Sequence, residues 1–187
     1  MGTSLEFALG PAVVVVTGVM ASGKSTVAQE LAEHLPRTVH VRGDMFRRMI
    51  VSGREELLPR PDETPEAVAQ FHLRHRLSAM VADAYAEAGW TAVVQDVILG
   101  KSLAEYASTV RTRPLYVVVL APRPETVVER EERREKTGYG LWTVEELDRF
   151  LREETPRVGL WLDTSEQTPE ETVAAILADL DTARVPD

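Results

Sequence analysis

Residues 12–26 read Ala-Val-Val-Val-Val-Thr-Gly-Val-Met-Ala-Ser-Gly-Lys-Ser-Thr. The first six are largely β-branched, and such a run suits a central parallel strand buried on both faces. Gly18 through Ser25 then match the pattern G-x-x-x-x-G-K-[ST]. Each fixed position has a physical reason. The glycines let the backbone bend so that successive N–H groups point at phosphate oxygens, and the helix that follows adds its positive N-terminus. Lys24 supplies a mobile cation for β- and γ-phosphates, and Ser25 offers Mg²⁺ a hydroxyl. Ala21, Ser22, Gly23 and Thr26 complete the expected phosphate-binding set. Chance can produce such a pattern, but here it follows a strand-like run and opens a helix-like one.

Outward from this loop the chain alternates strand and helix signals. Residues 24–35 read as a helix with Val27, Ala28, Leu31 and Leu35 on one stripe and Pro36 as its stop. Residues 38–42 form a second strand, 44–51 a short helix, and 52–64, with Gly53, Pro59 and Pro61, a loop. A long helix is predicted from about Pro65 to Glu87, where Val68, Phe71, His75, Met80, Ala84 and Ala88 roughly follow helical spacing. Strand three is Thr91 to Gln95, a helix starts near Ser102, and strand four is Leu115 to Leu120. Helices at 124–136 and 143–154 flank Gly138 and Gly140. A short strand, Leu160 to Leu162, precedes a last helix from Pro169 to about Leu180. Five apolar strands separated by helices indicate an α/β domain with a mostly parallel sheet.

At 187 residues the chain is expected to be one domain, 1–187, large enough to bury a core without staples. Basic residues number 21 and acidic ones 30, a net charge of -9. Such a surface repels a phosphate backbone, so a nucleic-acid partner is not expected. There is no cysteine, which removes disulfide scaffolds, thiol catalysis and cysteine-ligated zinc and fits a reducing compartment. No stretch approaches the ~20 apolar residues of a membrane span. A cytoplasmic protein without a membrane partner is the expectation, as a monomer or homodimer. Lys24, Lys101 and Lys136 are the only lysines, so a lysine in the phosphate loop stands out.

Ligands of parallel sheets bind outside the carboxyl ends of the strands. Strand two ends in Arg42-Gly43-Asp44. Asp44 could take the proton of an acceptor hydroxyl there, or cap the helix that starts beside it. Arg47 or Arg48 could bind a polar or anionic acceptor group, and adjacent helical positions point about 100° apart, so at most one faces the site. Strand three ends in Gln95-Asp96. Asp96 could hold a water on Mg²⁺ or touch the acceptor, and a capping role is the plainer alternative. Residues 129–136 are densely charged: Glu129 with Arg133 and Glu132 with Lys136 make ordinary i,i+4 pairs. Arg130 and Arg134 share a stripe that this pairing does not explain, and they could close as a lid on a transferring phosphoryl group. His72 and His75 have a spacing that could serve a metal, but no third ligand is near in sequence, so a surface or pocket-edge place is expected.

Together, Gly18–Ser25, Arg42-Gly-Asp44, Val93-Val-Gln-Asp96-Val-Ile-Leu-Gly100, Val128-Glu-Arg130-Glu-Glu-Arg-Arg134 and the ending Leu162-Asp-Thr-Ser…Pro169-Glu-Glu-Thr-Val resemble the chloramphenicol phosphotransferase-like P-loop kinases. The resemblance covers most of the chain, in order. It implies a three-layer P-loop fold with strand order 2-3-1-4-5 and a helical lid at about 124–155. It implies ATP as donor, with Mg²⁺, and phosphorylation of a hydroxyl on a small molecule, often an antibiotic. By position it places Asp44 as general base and Lys24, Ser25, Arg130 and Arg134 at the phosphates. Two departures bear on the acceptor. The family pattern has a second carboxylate where this chain has Gln95, and the acceptor region, about 45–76, is rich in arginine. Both point away from chloramphenicol itself and toward a more polar or anionic acceptor. Metabolic, nucleotide and zeta-toxin-like kinases, and a non-kinase ATP-dependent switch, are the alternative readings.

Overall fold

In a computed structural model of the chain, the valine run becomes β1 (Val13–Gly18), buried at all six positions. The structure describes residues 9–58, 63–133 and 142–186. Four further strands, β2 (Thr38–Arg42), β3 (Thr91–Gln95), β4 (Leu115–Leu120) and β5 (Leu160–Leu162), pair in parallel in the order β2-β3-β1-β4-β5. The helices are α1 (Lys24–His34), α2 (Asp44–Arg48), α3 (Pro65–Glu87), α4 (Lys101–Thr109), α5 (Pro124–Glu132), α6 (Val144–Arg149), α7 (Pro169–Ala178) and α8 (Leu180–Ala183). A π-helical turn, Phe150–Glu154, continues α6.

Helices cover both faces of the central strands β3, β1 and β4, which are buried throughout and need no polar alternation, whereas the edge strand β2 alternates Thr-Val-His-Val-Arg. Val13 and Val15 face α3 and α4, in one cluster with Ala79, Ala82 and Leu103. Val14 and Val16 face the opposite layer, with Val27 and Leu31 of α1 and Val173 and Ile176 of α7. The period of two along β1 thus divides one run of valines between two cores. The α1 stripe lies as its spacing predicts, with Val27, Ala28, Leu31 and Leu35 all buried.

Three elements differ from the sequence expectation. In α3 the buried face is Ala67, His75, Ser78, Ala79, Ala82, Asp83 and Ala86. Met80 is 64% exposed, and Ala84 and Ala88 face solvent. Small side chains let this long helix lie close to the sheet, so size rather than hydropathy sets its inner face. Asp83 tolerates burial because it accepts hydrogen bonds from the Arg111 and Thr112 backbone N–H groups and the Thr112 hydroxyl. Helix α2 stops at Arg48 instead of 51, and none of its residues is buried to hold a further turn. The last helix breaks at Asp179, between α7 and the single turn of α8.

Candidate active site

Strand register sets the geometry. Arg42 of β2 and Val16 of β1 are both paired with Gln95 of β3, so β2 and β3 end in one row and β1 runs two residues further, to Gly18. The segments that follow therefore stand side by side: Gly43-Asp44, Asp96-Val97 and the loop from Gly18. At about 4.8 Å per strand, β2 and β1 are about 10 Å apart. The Gly43 N–H donates to the Gln95 carbonyl at 3.0 Å. The Thr17 hydroxyl donates to the Ile98 carbonyl and accepts from the Ile98 N–H, both at 2.9 Å, and locks the end of β1 to the turn after β3.

The loop from Gly18 has the bends its glycines allow. Gly18 has φ +148°, and a Cβ there would lie 2.4 Å from the Leu120 carbonyl oxygen. Gly23, the residue before α1, has φ 98°, and Ala21 adopts φ 58°. Lys24 is buried and donates from Nζ to the Val19 carbonyl at 2.6 Å, folded back over its own loop. Ser25 and Thr26 are exposed in the first turn of α1. Ser22 Oγ is buried and has no partner among the described residues. The described residues contain no group of three acidic or histidine side chains that could cage a metal. Mg²⁺ in such sites is held by few protein ligands with phosphates and water, and the exposed Ser25 hydroxyl fits that role.

Beside this loop lies a cleft of about 270 Å³, lined by Ala21, Ser22, Gly23 and Thr26 on one side and by Arg130, Thr164 and Gln167 on the other. Arg130 donates from Nη1 to the Ser22 carbonyl at 3.3 Å and from Nη2 to the Thr164 carbonyl at 2.9 Å. Arg133, by contrast, pairs at the surface with Glu129 at 3.8 Å. Arg134, with the Gly138–Gly140 hinge, lies outside the described residues. Thr164 and Gln167 were not singled out from the sequence. The segment from Leu162 to Pro169 carried part of the family resemblance, and that was the available signal.

Asp44 is the first residue of α2, about a third exposed, and its Oδ2 pairs with Arg48 at 2.8 Å. The N-cap position is Gly43, and Asp44 is instead the acidic residue of the first turn, so it does not stand where the capping alternative placed it. Arg47 pairs with Glu56 of the following loop. That loop is tied to α3, since Gln70 accepts from the Glu55 N–H at 3.0 Å and donates to the Gly53 carbonyl at 2.8 Å. Trp142 Nε1 donates to the Leu57 carbonyl at 3.1 Å, joining the segment before α6 to the same loop.

Asp96 is fully buried. Arg74 of α3 donates from Nε to its Oδ2 at 2.7 Å and pairs through Nη2 with its Oδ1. The Val97 N–H also donates to Oδ1, at 2.7 Å. The carboxylate expected at Mg²⁺ or the acceptor is thus engaged by an arginine. Gly43 makes room for it, because a Cβ on Gly43 would lie 2.0 Å from Asp96 Oδ2. Burial lowers the Arg74 pKa to about 10. His75, expected at the surface or a pocket edge, is 6% exposed and packs between the Phe71 and Tyr106 rings. Burial, followed by the nearby charges of Arg74 and His72, pushes its pKa down to about 3. Helical periodicity turns it onto the inner face with Ser78 and Ala79, which is why the surface expectation fails.

With this geometry the chain can be set beside known proteins. Residues 13–157 match a family described as the AAA domain. A UPF0200 protein of Aeropyrum pernix is 39% identical over 138 residues, 72% of this chain and 71% of that one. A sugar kinase from Janibacter sp. HTCC2649 superposes with a TM-score of 0.65 at 24% identity, over 92% of this chain and 95% of its own. The tunicamycin resistance protein of Deinococcus radiodurans superposes with a TM-score of 0.66 at 18% identity, over 94% and 99%. Those two likenesses carry the fold, a P-loop kinase-like sheet with helices on both faces. By the match over residues 13–157, the chain belongs to the AAA domain family.

Proposed function

We propose that the protein is an ATP-dependent phosphotransferase that moves the γ-phosphoryl group to a hydroxyl of a small molecule, an antibiotic or a related metabolite. One observation carries this reading: the segments that follow β2 and β1, with Asp44 on one and the phosphate loop on the other, leave the sheet side by side from strands about 10 Å apart. A phosphoryl group and an acceptor hydroxyl would lie in line between them. The likeness in fold to a sugar kinase and a tunicamycin resistance protein, and the resemblance to the chloramphenicol phosphotransferase-like kinases, support the same class.

In this reading the nucleoside end lies in the cleft beside Thr26 and Gln167, and the phosphates lie along the N–H groups of residues 18–25. Lys24 leaves the Val19 carbonyl for the β- and γ-phosphate oxygens. Ser25 holds Mg²⁺, which neutralises phosphate charge when bound. Arg130, already at the loop, adds a guanidinium to the charge that spreads over the transferring oxygens. Asp44 accepts the proton of the acceptor hydroxyl, and Arg48 beside it keeps the carboxylate oriented. A role for Asp96 at Mg²⁺ would require it to share its oxygens with Arg74. Arg134 is proposed at the phosphates from the family resemblance alone.

The test is a mass-spectrometric screen for a gain of roughly 80 daltons, one phosphoryl group, across hydroxylated antibiotics and metabolites, with ADP release followed in parallel. Acceptor-dependent ADP release supports the reading. Nucleotide retained with no acceptor effect, and released only by a macromolecular partner, would replace it with a switch module.

A further inference from the structure

We propose that Arg74 is the residue that binds an oxyanion group of the acceptor, and that Asp96 is its positioning partner. The inference rests on the phosphotransferase reading only in calling the ligand an acceptor. It begins from a buried charge whose cost needs a reason. A buried ion pair roughly balances its desolvation against its attraction, so the Arg74–Asp96 pair is weak evidence for stability. The pair is not in the core of the sheet. It lies past the carboxyl end of β3, where parallel sheets bind ligands, and Gly43 gives up a side chain to accommodate it.

The pair is a two-point fork. Nε and Nη2 of Arg74 engage the two oxygens of Asp96, so the guanidinium has one fixed plane. No hydrogen-bond partner of its Nη1 is found among the described residues. The end-on edge, Nη1 with the second N–H of Nη2, matches the spacing of two oxygens on a carboxylate, sulfate or phosphate. The surrounding charges are of both signs, with Arg48 paired to Asp44 and Arg47 to Glu56. Beyond Asp96, Arg74 is close enough to feel Asp44, which favours its charge, and both Arg47 and Arg48, which oppose it. An incoming oxyanion would offset the two arginine charges and would itself be opposed by Asp44 and Asp96, so the open edge of the fork is what favours it. Arg47, the residue the sequence singles out for the acceptor, is instead engaged by Glu56. The side chain of Arg74 is 15% exposed, enough for one edge to meet a ligand.

The experiment uses the full chain in a Lys24→Ala background, which removes the phosphate loop's own cation. Inorganic sulfate is titrated calorimetrically at ionic strength held constant with chloride, and acetate is titrated in a second arm to separate tetrahedral from planar oxyanions. Sulfate or acetate should bind, and adding Arg74→Gln should weaken that binding at least fivefold. Arg76→Gln, on the exposed side of α3, should change it less than twofold. If Arg74→Gln gives no cooperative melt, Arg74→Lys serves, since it keeps the charge but loses the fork and should show the same fivefold loss. Arg74 variants within fivefold of the parent, or a parent that binds neither anion, would overturn the proposal. The measurement needs no turnover, so its failure is distinct from a failure of acceptor-dependent ADP release.

Discussion

Arg130 of α5 reaches 108 residues back along the chain to donate a hydrogen bond from Nη1 to the Ser22 carbonyl of the phosphate loop. Its Nη2 bonds the Thr164 carbonyl, so one side chain bridges two loops across the cleft. Three residues on, Arg133 is occupied by Glu129 at the surface. The two arginines should therefore separate in function. We expect Arg130→Ala to lower kcat by ~10³ or more, the scale of a lost phosphoryl-stabilising arginine. Arg133→Ala should stay within about twofold, since an exposed pair contributes little. Turnover with the acceptor returned by the screen measures both, and equal small losses would reduce α5 to a solvated helix.

Lys24→Ala should nearly abolish phosphoryl transfer and leave the fold intact. The side chain is buried, but its charged end meets the Val19 carbonyl of its own loop and not the apolar core. The check is turnover together with a thermal melt. Near wild-type turnover would remove the phosphate loop from the mechanism.

How legible the site was depended on how local it is. The loop from Gly18 to Ser25 was readable because its chemistry is fixed by residue spacing within eight positions. Strand β1 was readable because burial on both faces writes itself as unbroken valine. The α3 face was not, since Ala79, Ala82 and Ala86 turn inward while Met80 turns out, the reverse of a hydropathy ranking. The Arg74–Asp96 pair was invisible for another reason. Its members are 22 residues apart and meet only because α3 crosses the end of β3. Asp96 was marked as a candidate, yet its partner and the service of Gly43 are tertiary facts. Likewise, a Cβ on Gly100 would lie 2.7 Å from the Phe150 ring, a contact between residues 50 positions apart.

Asp44→Asn should lower kcat by ~10²–10⁴, the range for losing a general base, with little change in nucleotide affinity. Asp44 is the first residue of α2 and pairs with the exposed Arg48, so stability should change by no more than ~1 kcal/mol. A variant that keeps kcat but melts several degrees lower would make Asp44 a structural residue.

His75 should make the protein sensitive to mild acid. Burial holds its pKa near 3, against an ordinary 6.5. The unfolded chain therefore takes up this proton first, and stability is lost as pH falls below about 6.5. Each pH unit in that window costs up to ~1.4 kcal/mol, so pH 5 costs about 2 kcal/mol relative to pH 7. His75→Phe, which suits a site between Phe71 and Tyr106, should flatten the difference in urea midpoint between pH 5 and pH 7. An unchanged difference would show that other groups carry the acid sensitivity.

Gly43→Ala tests the packing that seats Asp96. The added Cβ would sit 2.0 Å from Asp96 Oδ2 and 2.5 Å from its Cγ. Asp96 cannot simply swing aside, because Arg74 holds both of its oxygens and the Val97 N–H holds one. Gly43 itself is pinned by its hydrogen bond to the Gln95 carbonyl. Overpacking of this kind costs about 1–3 kcal/mol, and the loss of the buried pair would add to it. The diagnostic is a double-mutant cycle. Asp96→Ala removes the atoms that the new Cβ strikes, so Gly43→Ala should cost much less in that background than alone. A coupling of at least ~1 kcal/mol, read from urea unfolding of the four proteins, is expected for side chains in direct contact. Additive losses would mean that the turn after β2 shifts as a whole and that Gly43 is glycine for some other reason.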